Sequence, residues 1–206
     1  MLKVMSEAEC LNDPALDDYE TLRFEERLAK DFNKEAAIFF LTSSMSNLAA
    51  VLLHTRPGSE VILASSAHTV ERECASMARI AGVQTRQIFT ESGLFTPQQG
   101  KLSNGTYRGQ VWDLNDLRQI KKIAEENKVA VHIDGARIYN ALETYGLQPK
   151  DISDCYDTMT MCFTKGLCCP VGGAILGTRE HIKKLKSIRK SLGGGIMHTS
   201  ILSTGI

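Results

Sequence analysis

The stretch VAVHIDGARIYNALETY, Val129 to Tyr145, changes its period half-way through. Val129–Asp134 is a nearly continuous apolar run ending in a carboxylate, the pattern of a strand covered on both faces. Gly135 interrupts the run, and Arg137–Tyr145 reads as a helix. His132 and Asp134 share a strand face, because side chains alternate with a period of two. A carboxylate at the rim of a sheet suits a cationic nitrogen ligand, a helix N-cap or an ion pair with Arg137. Spacing alone leaves all three open.

The same change of period recurs along the chain. Ala37–Leu41, Glu60–Ala64, Thr85–Phe89, Thr158–Phe163 and Gly173–Gly177 read as further strands. Tyr19–Phe32, Ser46–His54, Thr69–Ala81, Leu114–Asn127 and His181–Leu192 read as helices. Leu114, Leu117, Ile120 and Ile123 give one of these an apolar stripe, with Asp113 placed to cap its start. Such alternation implies an α/β domain with a mainly parallel sheet, whose ligands sit beyond the carboxyl ends of the strands. Ser43 and Ser44, His68, Asp134 and Lys165 all follow or end strands. Thr90–Gln110 carries the turn signals Ser92-Gly93, Thr96-Pro97, Gly100 and Asn104-Gly105, and no convincing strand. Residues 1–206 read as one domain.

Charge narrows the partners. Lys plus Arg and Asp plus Glu both total 24, so neither a nucleic-acid footprint nor a polybasic membrane face is present. No apolar run approaches the roughly 20 residues that cross a bilayer. Met1–Cys10 has no apolar core like that of a signal peptide, which makes the cytoplasm the simplest location. The six cysteines, Cys10, Cys74, Cys155, Cys162, Cys168 and Cys169, are scattered through apolar segments. They read as free thiols rather than a disulfide framework, and Cys168-Cys169 lacks the second pair that a zinc site needs.

Three further segments carry candidate chemistry. Thr164-Lys165-Gly166 follows an apolar strand; a lysine there is either solvated or desolvated enough to form an imine. In Leu41–Asn47 a strand leads through small hydroxyl residues into a helix, which suits an anion or an ordinary N-cap by Ser44 or Ser46. His68 could stack on an aromatic ring or sit at the surface. Glu73 could support the site or belong to a solvated face with Glu71 and Arg72.

Taken in order, these segments resemble the threonine aldolase family of fold-type I pyridoxal-phosphate enzymes. The match runs through NKEAAIFFLTSSMSN (Asn33–Asn47), PGSEVILASSAH (Pro57–His68), HIDGAR (His132–Arg137), DTMTMCFTKGLCCPVGG (Asp157–Gly173) and LGGG (Leu192–Gly195). The resemblance implies a three-layer α/β/α domain and pyridoxal 5'-phosphate as cofactor. Lys165 would form the imine, Asp134 would pair with the pyridine nitrogen and His68 would stack on the ring. Ser43 and Ser44, with Thr164 assisting, would bind the phosphate, and Arg137 would help hold the substrate carboxylate. No metal is implied. The implied reaction is retro-aldol cleavage of a small β-hydroxy amino acid, threonine or allo-threonine, to glycine and acetaldehyde, in a homo-oligomer (dimer or tetramer).

The chain also departs from the family pattern. It lacks the opening Arg-Ser-Asp-Thr segment, and a strand ending in Glu-Asn-Thr-His-Asn is shortened to Lys101–Gly109. Gly193-Gly194-Gly195-Ile196-Met197-His198 has no arginine, Ser43 replaces a glycine, and the small C-terminal domain has no counterpart. Losing an internal strand would leave a gap in the sheet or force its neighbours to re-pair. Two alternatives follow: a catalytically impaired remnant acting as a binding or oligomerising partner, or a pyridoxal-phosphate β-eliminating lyase.

Overall fold

The computed structural model describes residues 2–9, 18–90, 94 and 112–206. In chain order the elements are α1 (Leu2–Ser6), α2 (Tyr19–Asp31), β1 (Ala36–Phe40), α3 (Ser43–His54), β2 (Glu60–Ala64), α4 (His68–Glu71), α5 (Ser76–Arg79) and β3 (Gln84–Ile88). Then follow α6 (Leu114–Glu126), β4 (His132–Gly135), α7 (Ile138–Tyr145), a 3-10 turn (Pro149–Cys155), β5 (Thr158–Cys162), β6 (Gly173–Gly177), α8 (Arg179–Ser191) and α9 (Ser200–Ser203).

β1, β6, β5 and β4 form one sheet in that order, with β4 and β5 parallel and β6 antiparallel to both of its neighbours. β2 and β3 form a second, parallel pair. Alternate residues of β1 and β6 feed opposite layers, which is why these strands are apolar throughout. Ala37, Phe39, Ala174 and Leu176 pack against α2, α6, α7 and the 3-10 turn. Ile38, Phe40 and Ile175 pack against α3 and α8. The expected three layers are therefore present. Gly173 lets α3 sit close to the sheet: a Cβ there would lie 2.7 Å from the Met161 carbonyl and 3.1 Å from the Ser43 backbone.

Helix starts follow local chemistry. Asp113 caps α6 by accepting from the Asn115 and Asp116 amides, as its sequence position suggested. Thr178 caps α8 through the His181 amide. Asp18, fully buried, accepts from the Thr21 amide, the Thr199 hydroxyl and the Ser200 amide, so one carboxylate both caps α2 and docks α9. Three expectations need correction. Thr69–Ala81 is not one helix: α4 stops at Glu71, and Cys74 and Ala75 take left-handed φ values of 54° and 55° before α5 begins. α3 begins at Ser43 rather than Ser46, capped by Thr42 and not by Ser44 or Ser46. The short α1, α9 and 3-10 turn have no period long enough to read from sequence.

The shortened segment Lys101–Gly109 and Cys10 lie outside the described residues. Within them, β2 and β4 have not paired with each other. Their edges instead line one cavity of about 350 Å³, with Val61, Ile62 and Leu63 on one side, Val129, Ala130, His132 and Asp134 on the other, and α3 contributing Ala50, Val51 and His54. The five cysteines described are all free.

Two histidines of this cavity wall share one threonine. His54 Nε2 lies 2.8 Å and His132 Nδ1 2.9 Å from Thr158 Oγ1, and His132 Nε2 lies 3.2 Å from Thr160 Oγ1. Burial pushes both imidazoles down, His54 to about 4, helped by the neighbouring His181, and His132 to about 3, helped by His54.

Two outcomes follow. Asp18→Ala strands buried donors and removes a cap, so urea unfolding should show a loss of about 2–4 kcal/mol. For the histidines, the unfolded chain takes up protons near pH 6.5 while the folded one does not. Their contribution to stability is therefore complete above pH 6.5 and lost as pH falls toward 4 and then 3. For His54 the loss is on the order of 3 kcal/mol. His54→Gln should flatten the slope of unfolding free energy between pH 6.5 and 4.

Candidate active site

Three strand-to-helix junctions and the loop between β5 and β6 carry the candidate residues. β1 runs into α3, whose first turn contains Ser43 and Ser44. Thr42 supplies the side-chain cap to the Met45 amide, so the Ser43 and Ser44 amides precede the helix's own bonding and face outward with the positive end of its dipole. β2 leads through Ser65–Ala67 to His68 at the start of α4. β4 ends with Asp134-Gly135, and β5 is followed by Thr164 and Lys165.

Asp134 is the electrostatic centre. Its Oδ1 accepts from the Ala136 amide at 3.1 Å and its Oδ2 from Asn47 Nδ2 at 3.2 Å. Burial pushes this carboxyl above the ordinary range, while the Lys165 charge, Asn47, His68 and the Ala136 amide work in the other direction. Lys165 thus lies within electrostatic reach of Asp134 although 31 residues separate them in the chain. The remaining options for Asp134 resolve by geometry: it accepts from a backbone amide two residues on, while Arg137 is exposed and makes no ion pair with it.

The hydroxyl segment and the lysine segment also meet. Cys162, at the end of β5, has its thiol 3.3 Å from the Thr164 hydroxyl. Burial would push that thiol up, but hydrogen bonds from Ser43 and Thr164 and the Lys165 charge hold it below its usual value. Ser43, Cys162, Thr164 and Lys165 are therefore neighbours. Arg137 lines a pocket of about 160 Å³ whose walls also include Gly135, Asn140, Cys162 and Gly166, so it borders the lysine segment, although it makes no ion pair with Asp134.

Asn47 gains a role that the sequence did not announce, and Glu73 resolves toward the site-supporting option of its two readings. Asn47 lies four residues after Ser43, on the same face of α3, and its amide nitrogen bridges Asp134 and Glu73. Glu73 is buried, at 7% exposure, unlike the exposed Glu71 and Arg72 beside it, and its Oε1 lies 3.0 Å from His68 Nδ1. The only local signal for either residue was position: one helical turn beyond a candidate anion site, and five residues beyond a candidate histidine. The set offers an amine, a carboxylate positioned for a cation, an imidazole and a helix N-terminus for an anion. Those are the groups needed to hold a flat, phosphorylated, nitrogen-containing aldehyde.

Comparison with known proteins places the chain in a family. The β-eliminating lyase family model matches residues 1–103 and 101–205. The low specificity L-threonine aldolase of Escherichia coli (strain K12) is 32% identical over 98% of this chain and 66% of that protein. The low-specificity L-threonine aldolase 1 of Arabidopsis thaliana is 30% identical over 98% of this chain and 63% of its own length. The chain thus spans slightly under two thirds of these relatives. Among solved structures, the threonine aldolase of Leishmania major matches with a TM-score of 0.82 over 99% of this chain and 66% of that one, at 19% identity, a likeness of fold. With a family model matched along almost its whole length, the chain belongs to the β-eliminating lyase family.

Proposed function

We propose that this chain binds pyridoxal 5'-phosphate and cleaves threonine or allo-threonine to glycine and acetaldehyde. The observation that carries the reading is the convergence of Lys165 on Asp134 across the carboxyl ends of β5 and β4. Lys165 would hold the cofactor aldehyde covalently, and Asp134 would keep the ring nitrogen protonated. His68 would cover the ring face, and the Ser43 and Ser44 amides and hydroxyls, with Thr164, would bind the phosphate. When bound, the cofactor supplies an electron sink for the electron pair left at Cα as the Cα–Cβ bond breaks.

The chain's own residues do the rest. Asp134 is desolvated, so its attraction for a ring cation is weakly screened. Asn47 and the Ala136 amide hold that carboxylate in one rotamer. A base must take the β-hydroxyl proton as acetaldehyde leaves, and a proton must return to Cα to give glycine. His68 is the imidazole at the site that suits this proton traffic. Arg137, exposed on a pocket that Cys162 and Gly166 also line, is assigned to the substrate carboxylate on the family resemblance. Self-association and a cytoplasmic location belong to the same reading. It is supported by the exposed Leu2 and Val4 on α1, and by the lack of any described helix long and apolar enough to cross a membrane.

A second reading, cofactor binding without turnover, is favoured by the facing edges of β2 and β4, which share no pairing among the described residues, because the cavity between them reaches Asp134 itself.

Adding pyridoxal phosphate to the purified chain should produce a visible absorption band that Lys165→Ala abolishes. Absence of a Lys165-dependent band at saturating cofactor refutes the proposal. Asp134→Asn should weaken cofactor binding about 10- to 100-fold, the value of one hydrogen bond to a charged group. Glycine release from threonine identifies the aldolase; pyruvate from serine identifies a β-eliminating lyase, and a band with neither product identifies the binder.

A further inference from the structure

Behind Asp134 lies a second carboxylate that touches no expected cofactor group. Glu73 Oε1 is shared by two donors, Asn47 Nδ2 at 2.9 Å and His68 Nδ1 at 3.0 Å. The same Asn47 nitrogen lies 3.2 Å from Asp134 Oδ2. An amide nitrogen carries two hydrogens, so Asn47 donates one to each acid. Its orientation is chemically determined, since a flip would set its oxygen against two carboxylates. Its Oδ1 is buried without a partner, as is Glu73 Oε2, so both groups forgo hydrogen bonds to keep this arrangement.

We propose that Glu73 is the positioning residue of this site. One carboxylate oxygen fixes the tautomer and ring orientation of His68 and, through Asn47, the rotamer of Asp134. A carboxylate accepting from Nδ1 makes neutral His68 the Nδ1–H tautomer and leaves Nε2 with its lone pair for the site. The inference rests on the cofactor-binding reading and deepens it, because both ring contacts then depend on one residue that meets neither cofactor nor substrate.

The backbone is built around this contact. On an uninterrupted helix, residues five apart point about 140° away from each other, so His68 and Glu73 could not meet. The chain instead leaves the helix after Glu71 and takes left-handed φ at Cys74 and Ala75, neither of them glycine, before α5 begins. Such residues are tolerated where the surroundings over-determine them. Burial, with the Asp134 charge adding to it, pushes the Glu73 carboxyl up, against the hydrogen bonds from Asn47 and His68.

The experiment uses the full chain without and with pyridoxal phosphate. In the cofactor-free protein, nitrogen-15 NMR of the histidine rings, with His68 assigned through His68→Gln, should show a His68 Nδ1 proton protected from exchange. Glu73→Ala should abolish that proton and return the ring to a tautomer mixture. Glu73→Gln, whose amide oxygen can still accept, should keep the tautomer while moving the resonance upfield. In the cofactor-loaded protein, Glu73→Ala should weaken binding about tenfold, as loss of a charge-assisted bond would. The loss of binding in the His68→Ala/Glu73→Ala double variant should be clearly smaller than the sum of the two single losses, because both act through one shared element. If His68 keeps its tautomer and Nδ1 proton in Glu73→Ala while only the melting temperature falls, Glu73 is a structural acid and the proposal is overturned. Should Glu73→Ala fail to fold, Glu73→Gln decides: an unmoved Nδ1 resonance overturns the proposal and an upfield one supports it. A missing Lys165-dependent band would refute cofactor binding alone, because the ring signal is read without cofactor.

Discussion

Asp134 carries its carboxyl where water reaches it poorly, which pushes that group above its ordinary range, and much of the site is arranged to counter that cost. The carboxylate ends a strand whose neighbours bury it, so its charge has to be solvated by the protein. The Ala136 amide, the Asn47 amide and the Lys165 ammonium supply that solvation from three different segments. Each partner is fixed by larger structure. Ala136 follows the glycine that ends β4, Asn47 rides on α3, and Lys165 follows β5. α3 lies close to the sheet because Gly173 has no side chain to hold it away. The anion is thus solvated by geometry that two packed layers provide, and a loosened layer would withdraw its support.

The same layers explain the cavity on the other side of Asp134. β2 belongs with β3, and β4 with β5, and their facing edges line one apolar space. α3 spans that space, with Leu48 and Val51 packed toward β2 and Ala49 and Ala50 toward the larger sheet. One helix therefore couples two strand groups that share no ladder hydrogen bonds among the described residues. His54, at its end, reaches Thr158 on β5 and adds a polar tie at the far end of the space. Neutral histidines suit this position, since an imidazolium there would be poorly solvated and would face His181 as well.

What could be read in the chain and what could not divides along range. Strand Glu60–Ala64 and strand Gly173–Gly177 are as their apolar runs suggested, and the other strands fall within a few residues; for Gly173–Gly177, burial at every position leaves a continuous local pattern. Asp113 was visible as a cap because its partners lie two and three residues away. The interruption between α4 and α5 was invisible: Arg72–Ala75 contains neither glycine nor proline. Glu73 stayed open between supporting the site and joining a charged face, because the partners that turn it inward are 5 and 26 residues distant. Asn47 was likewise silent, since its second partner lies 87 residues away.

By itself, then, the sequence determined the layered α/β class, the strand ends where chemistry belongs and the family whose motifs it shares. The class and the strand ends follow from period and apolarity, which act over a few residues, and the family from motifs that resemble its own. Only the tertiary structure decided that Lys165 stands near Asp134, that Ser43 meets Cys162 and that Glu73 serves His68 and Asn47 together. These contacts depend on hydrogen bonds and fields that decay within a few ångströms, and distance in space is set by packing between layers rather than by position along the chain.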